Sequence, residues 1–144
     1  MRKRPGLLAR AEDLQRPLTG RRPLEIFGSG EQTRTITHVD DIADGIVTAM
    51  AAPAGENEDF NISASEELTV AELARIIWEA CGNDPEEFEL GHLPSFPVDV
   101  ERRWPSVEKA RRLLGWEARV DLRDGIAETV EWLRGVDREG AISS

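Results

Sequence analysis

The 144-residue sequence contains no tyrosine, so it holds no phenol that could serve as a general acid or base. Its one cysteine, Cys81, excludes an internal disulfide. Cys81 falls on an apolar helical stripe just before Gly82, with no base near it in sequence, and reads as a buried thiol rather than a nucleophile. The two histidines, His38 and His92, are not joined by a metal-ligand spacing, so neither a metal site nor a catalytic histidine is expected. No apolar run approaches the ~20 residues of a membrane helix, and Met1-Arg2-Lys3-Arg4 leads into no apolar signal core. A cytoplasmic protein without a membrane partner is the expectation. No Gly-x-x-Gly-x-x-Gly follows a strand pattern, which removes the dinucleotide-binding turn.

What is present argues for a packed domain. An apolar fraction of 40% with four tryptophans is enough for a core. The net charge of -10 is unevenly spread: Met1 to Arg34 carries eight basic residues against four acidic ones, so the remainder is strongly acidic. Such a balance repels a phosphate backbone, and no nucleic-acid partner is expected. The basic arm suits a small anion instead, with Arg34 at its end.

Periodicity predicts a mixed α and β chain. Leu7, Leu8, Ala11, Leu14 and Leu18 recur at helical spacing ahead of Thr19-Gly20. Leu24-Glu25-Ile26-Phe27 alternates as a strand, Gly28-Ser29-Gly30 turns, and Arg34 to His38 alternates again, which predicts a hairpin. Asp40 is expected to cap a helix running from near Asp41 to about Ala51, with Ile42, Ile46 and Met50 on its stripe. A short strand is expected at Asp59 to Ser63. Thr69 and Glu72 form a capping box for a helix with Val70, Leu73, Ile77 and Ala80 inward, stopping at Gly82. Another strand is expected near Glu87 to Leu93. Ser106 is expected to cap a helix ended by Gly115, and Asp121 a last one carrying Leu122, Ile126, Val130 and Leu133.

The order of these pieces carries more than any one of them. The Gly28-x-Gly30 turn, Arg34, Val39-Asp40-Asp41, Phe60-Asn61-Ile62, Leu68 to Leu73, Asp99 to Ala110, Leu113-Leu114-Gly115-Trp116 and the helix with Trp132 follow in one sequence over Pro17 to Leu133. This series resembles the C-terminal, substrate-binding part of extended short-chain dehydrogenase/reductases, the NAD-dependent nucleotide-sugar epimerases and dehydratases. The resemblance implies an α/β portion of an extended Rossmann-type fold, with four to five helices and about four short strands. It implies a basic arm or helix over 1–16, a substrate-binding domain over 17–135 and a loose tail over 136–144.

The resemblance also implies a division of labour. In the complete family enzyme a tyrosinate takes a sugar hydroxyl proton while NAD takes the hydride, yet the Tyr-x-x-x-Lys pair and the NAD turn are both missing here. The expectation is therefore a chain that binds nucleotide-sugar, does not bind NAD and has no catalytic residue, with a cofactor-binding half or a second copy as partner. A non-catalytic binding or interaction module of the same descent is the alternative.

The expected substrate-binding residues are Arg34, Phe27, Asp99, Glu25, Gln32, Arg102 and Arg103. Arg34 offers a rigid fork for two phosphate oxygens, or it forms a cross-strand pair with Glu25. Phe27 either lies beside a nucleobase, with Glu25 on the same strand face, or belongs to the core. Gln32 supports the turn or reaches the ligand. The resemblance implies that Asp99 meets a ribose hydroxyl and that an arginine stands three residues before it. Phe96 occupies that position here, so either Arg102 or Arg103 supplies the charge from a shifted loop or the ligand carries less phosphate at that point. Asp40 and Asp41 are adjacent at a helix start, point apart, and do not form an acid/base pair.

Overall fold

The computed structural model describes residues 16–138, with side chains described to residue 135. Residues 1–15 of the expected arm and 139–144 of the expected tail lie outside these residues, whereas residues 16–18 are helical as the periodicity predicts. The elements are β1 (Leu24–Phe27), β2 (Thr33–Arg34), α1 (Val39–Ala51), β3 (Leu68–Thr69), α2 (Val70–Ala80), β4 (Leu90–Leu93), α3 (Glu108–Leu114) and α4 (Leu122–Arg138). Short 3₁₀ turns cover Pro53–Gly55 and Pro85–Glu87. Because α4 continues to Arg138, the first three residues of the expected loose tail are helical.

The strands pair differently from the expected hairpin. β1 runs parallel to β4, Leu24 opposite Leu90 and Phe27 opposite Leu93, while β2 runs antiparallel to β3. The glycine turn passes the chain from one small sheet to the other. Its physical reason is α2: Ala71 N–H donates to Gly30 O at 3.1 Å and Val70 N–H to Gln32 O at 3.0 Å, so the turn satisfies two donors of the helix N-terminus. Gly30 has φ +86°, and a Cβ there would stand 2.7 Å from Ile26 Cδ1 and 3.2 Å from Ala71 Cβ. A hairpin would pull this turn off the helix.

The segment at Asp59 to Ser63 is not a strand. A ladder needs a neighbouring backbone, and this segment is held through side chains instead. Asn61 Nδ2 donates to Ser106 O at 2.9 Å, Thr37 and Ser63 hydroxyls meet at 3.3 Å, and Lys109 Nζ lies 5.3 Å from the Phe60 ring centre.

Helix α1 begins at Val39, two residues earlier than expected, and His38 rather than Asp40 is its cap, its Nδ1 accepting from Asp40 N–H at 3.4 Å. The face it buries is also different. Asp41 and Gly45 point inward, where a Cβ on Gly45 would meet Ile62 at 2.4 Å and Trp116 at 3.0 Å. Trp116 Nε1 donates to Asp44 at 2.9 Å, and the buried Asp41 carboxylate accepts N–H bonds from Arg119 and Val120 at 2.9–3.1 Å. With the small and acidic side packed, Val39, Ile46, Val47 and Met50 are left on the outside, Met50 83% exposed.

Helix α2 has the predicted capping box, Glu72 N–H to Thr69 Oγ1 at 3.1 Å and Thr69 N–H to Glu72 Oε2 at 2.7 Å. Val70 and Leu73 are buried as expected, and Ala74 and Trp78 join them where Ile77 and Ala80 were expected. Leu24, Ile26, Val70, Ala74 and Trp78 form the core, with Phe88 and Leu90 against it. Cys81 is buried, and burial pushes its thiol upward, in line with an inert role. Ser106 does not cap α3, whose cap position is Val107, but Gly115 ends that helix at φ +64° and Asp121 Oδ1 caps α4 through Arg123 N–H at 2.8 Å.

Candidate functional site

Arg34 stands at the end of β2, behind the glycine turn, with its side chain only 15% exposed. Its Nη1 donates to Thr33 O and Val100 O, each at 2.7 Å, and its Nη2 to Asp99 Oδ1 at 3.2 Å. Asp99 Oδ1 also accepts from Val100 N–H at 2.8 Å. The guanidinium therefore fixes a loop 65 residues further along the chain. The alternative pairing with Glu25 is overturned: β1 and β2 do not pair, and Glu25 bonds to Arg16 at 3.0 Å.

Phe27 closes β1 on the face opposite Leu24 and Ile26, half-buried rather than in the core. Its ring meets Phe96, centroids 4.5 Å apart and planes tilted by 31°, within the range of a favourable aromatic pair. Gln32 has a supporting contact, its Nε2 donating to Phe27 O at 2.7 Å, and His92 Nδ1 meets Gly28 O at 3.0 Å. Phe27 and Phe96, with Arg34 and Asp99, thus lie at the two ends of one loop over 96–99.

Arg102 is placed elsewhere. Its Nε and Nη2 bind both oxygens of Glu67 at 2.8 Å, and its guanidinium lies 5.4 Å from the Trp104 ring centre. Hydrogen bonds from Arg102 and the Thr33 hydroxyl hold the Glu67 carboxyl down at about 2. Arg102 therefore clamps residues 101–104 to the β2–β3 pair, where Thr33 also bridges to Arg102 through the backbone. The exposed Arg103 side chain makes no hydrogen bond or ion pair with the described residues.

Sequence reasoning missed three parts of this arrangement: Phe96 as the aromatic partner of Phe27, the Val100 carbonyl on Arg34, and the Glu67–Arg102 clamp. Phe96 had a signal, since it was the residue out of pattern. The other two join distant segments that no local spacing reports. His38, Asp40 and Glu128 place ligating atoms within 4.8 Å of one another. That proximity is explained by His38 bridging α1 and α4, with Asp40 at 3.8 Å and Glu128 at 3.6 Å. Asp40 points to solvent and Asp41 inward, so the two carboxylates do point apart.

The described residues thus form a small α/β unit with an arginine held beside a carboxylate and an aromatic pair at a strand end. A family model described as GDP-mannose 4,6 dehydratase matches residues 12–129. UDP-glucose 4-epimerase of Mycolicibacterium smegmatis is 40% identical over 113 residues, which cover 78% of this chain and 35% of that protein. Among solved structures, UDP-glucose 4-epimerase of Thermotoga maritima with UDP-glucose superposes with a TM-score of 0.78 at 34% identity, covering 91% of this chain and 40% of that one. UDP-glucuronic acid 4-epimerase of Bacillus cereus, in complex with UDP-glucuronic acid and NAD, gives 0.75 at 27% identity, covering 85% and 38%.

The chain belongs to the family of NAD-dependent nucleotide-sugar epimerases and dehydratases. It spans about a quarter to a third of the length of the curated relatives it matches. No helix among the described residues is long and apolar enough to cross a membrane.

Proposed function

We propose that this chain is the nucleotide-sugar-binding portion of an NAD-dependent epimerase or dehydratase, located in the cytoplasm and inactive without a cofactor-binding partner portion. The observation that carries this reading is the nearly buried Arg34, held by two carbonyls beside Asp99, one loop away from the Phe27–Phe96 pair. The guanidinium donates to the diphosphate, Asp99 accepts from ribose hydroxyls, and Phe27 lies along the base. Arg103 is the cation left to reach a second phosphate.

NAD does not fit these residues. A dinucleotide pyrophosphate sits on the free N–H groups of a helix N-terminus behind a glycine turn. Here the turn's own carbonyls and the Thr69–Glu72 box already occupy that terminus of α2. With no tyrosine in the chain, proton and hydride transfer fall to the partner portion.

Titrating UDP-glucose, UDP-glucuronic acid and GDP-mannose into the labelled chain tests the reading by NMR. The expected result is that at least one ligand moves the signals of Phe27, Arg34 and Asp99. A panel that leaves all three unmoved would favour the alternative, an interaction module without ligand.

The observation favouring such interaction is the outer stripe of α1, where Val39, Ile46, Val47 and Met50 remain exposed. Apolar faces of this kind are normally covered by a partner. In this reading the cofactor-binding portion covers the stripe, and a second copy does so when that portion is absent. Sedimentation at ~100 μM, a concentration at which exposed apolar surface associates, is expected to show dimers or larger species. Val47→Asp should shift the profile toward monomer, and a wild-type profile that is strictly monomeric contradicts the self-association.

A further inference from the structure

Two arginines hold the loop over 96–104, and they hold it independently. Arg34 grips it at Val100 O and Asp99. Further along, Arg102 binds Glu67, which directly precedes β3, through Nε and Nη2 with one carboxylate oxygen each at 2.8 Å. The Glu67 carboxylate also accepts from the Thr33 hydroxyl, and Trp104, beside the Arg102 guanidinium, donates from Nε1 to Ser65 O at 3.4 Å. Backbone bonds run alongside: Thr33 N–H donates to Glu101 O at 2.8 Å and Arg103 N–H to Thr33 O at 3.3 Å. Residues 101–103 therefore follow β2, bridged in parallel at Thr33, while β3 pairs with β2 in the antiparallel sense.

We infer that Glu67 and Arg102 are positioning residues of the proposed site, whose ion pair keeps the loop over 96–104 in place while Arg34 is shared with a ligand phosphate. The inference rests on the nucleotide-sugar reading above. Every Arg34 donor that a phosphate draws away is a donor taken from the loop, because Val100 O and Asp99 depend on the same guanidinium. With Arg34 as its sole anchor, the loop would loosen as ligand arrived, and the cost of ordering it again would be subtracted from the affinity. The second anchor draws nothing from Arg34. Its two parallel bonds fix the plane of the Arg102 fork as well as its place. Hydrogen bonds from Arg102 and Thr33 keep the Glu67 carboxyl down at about 2, so the anchor stays ionised across the neutral range.

Removing Glu67 separates this role from a direct contact of Arg102 with phosphate, because the two predict changes of opposite sign. The test is calorimetric titration of the full chain with whichever of UDP-glucose, UDP-glucuronic acid and GDP-mannose binds the wild type most tightly. Glu67→Gln and Arg102→Gln are each expected to weaken binding about three- to fivefold, the upper range for an exposed ion pair. Their double variant should lose no more than either alone, since the two act as one unit. The reversed pair, Glu67→Lys with Arg102→Glu, should bring affinity back to within about twofold of the wild type, although a carboxylate then stands in place of the arginine. Amide exchange at Arg103, whose N–H bonds to Thr33 O, should quicken in the single variants and slow again in the reversed pair. If Glu67→Gln tightens binding, Arg102 has been freed to take the phosphate itself and the positioning role is overturned. Unchanged affinity in both single variants overturns it as well, and in either case the nucleotide-sugar reading stands. A wild type that binds none of the three ligands overturns both.

Discussion

Trp78→Ala is expected to destabilise the chain by about 3 to 5 kcal/mol, the range for deleting a buried tryptophan. Trp78 is 1% exposed and lies within the core cluster of Leu24, Ile26, Val70 and Ala74. Its ring stands 6.3 Å from that of Phe88, and its indole N–H donates to Asp84 O at 2.8 Å. Alanine would remove the packing of β1 on α2 and leave the Asp84 carbonyl with one donor, Glu87 N–H at 3.1 Å, in place of two. It would also loosen the turn between α2 and β4. For a chain of this size the loss corresponds to a fall of roughly 10 to 20 °C in Tm. Trp132, 64% exposed on α4, is the control, and its replacement by alanine should change stability by less than about 0.5 kcal/mol. Urea unfolding with an unchanged slope measures both. A Trp78→Ala loss below about 1 kcal/mol would show that this core does not hold the sheet to the helix.

Local chemistry was legible in the sequence, and partnership between distant segments was not. The Thr69–Glu72 box, the Asp121 cap and the left-handed Gly115 each depend on residues within a few positions, so the sequence contains the whole interaction. Alternation along Leu24 to Phe27 correctly separated the buried Leu24 and Ile26 from Glu25 and Phe27, but it could not say which strand would lie alongside. The true partner, β4, lies more than 60 residues away.

In α1, counting apolar residues at helical spacing chose the side with the most hydrophobic area. The packed side was chosen instead by fit, since Gly45 alone allows Ile62 and Trp116 to approach, and by the two backbone N–H groups that Asp41 satisfies. Much the same holds at the site. Arg34, Phe27 and Asp99 could each be singled out in the sequence, whereas the Arg34–Asp99 contact and the Phe27–Phe96 stack depend on the path of the 96–104 loop.

Arg34→Ala should weaken UDP-sugar binding by about 1.5 to 3 kcal/mol, or roughly ten- to 150-fold, the range for hydrogen bonds to a charged group. Two losses combine in that figure. The ligand loses its fixed cation, and the loop over 96–100 loses the donors to Val100 O and Asp99 that hold it in place. Arg34→Lys separates them. A lysine retains the charge but has a single nitrogen in place of the planar fork, so it cannot span Thr33 O, Val100 O and Asp99 together. If charge alone mattered, lysine would restore most of the affinity. If the fork and the loop matter, as the three contacts argue, lysine should recover less than half of the lost free energy. Arg22, on the surface and paired with Glu87 at 3.3 Å, is the control whose replacement by alanine should leave affinity nearly unchanged. Equal losses for Arg22→Ala and Arg34→Ala would mean that general positive charge, not this site, attracts the ligand.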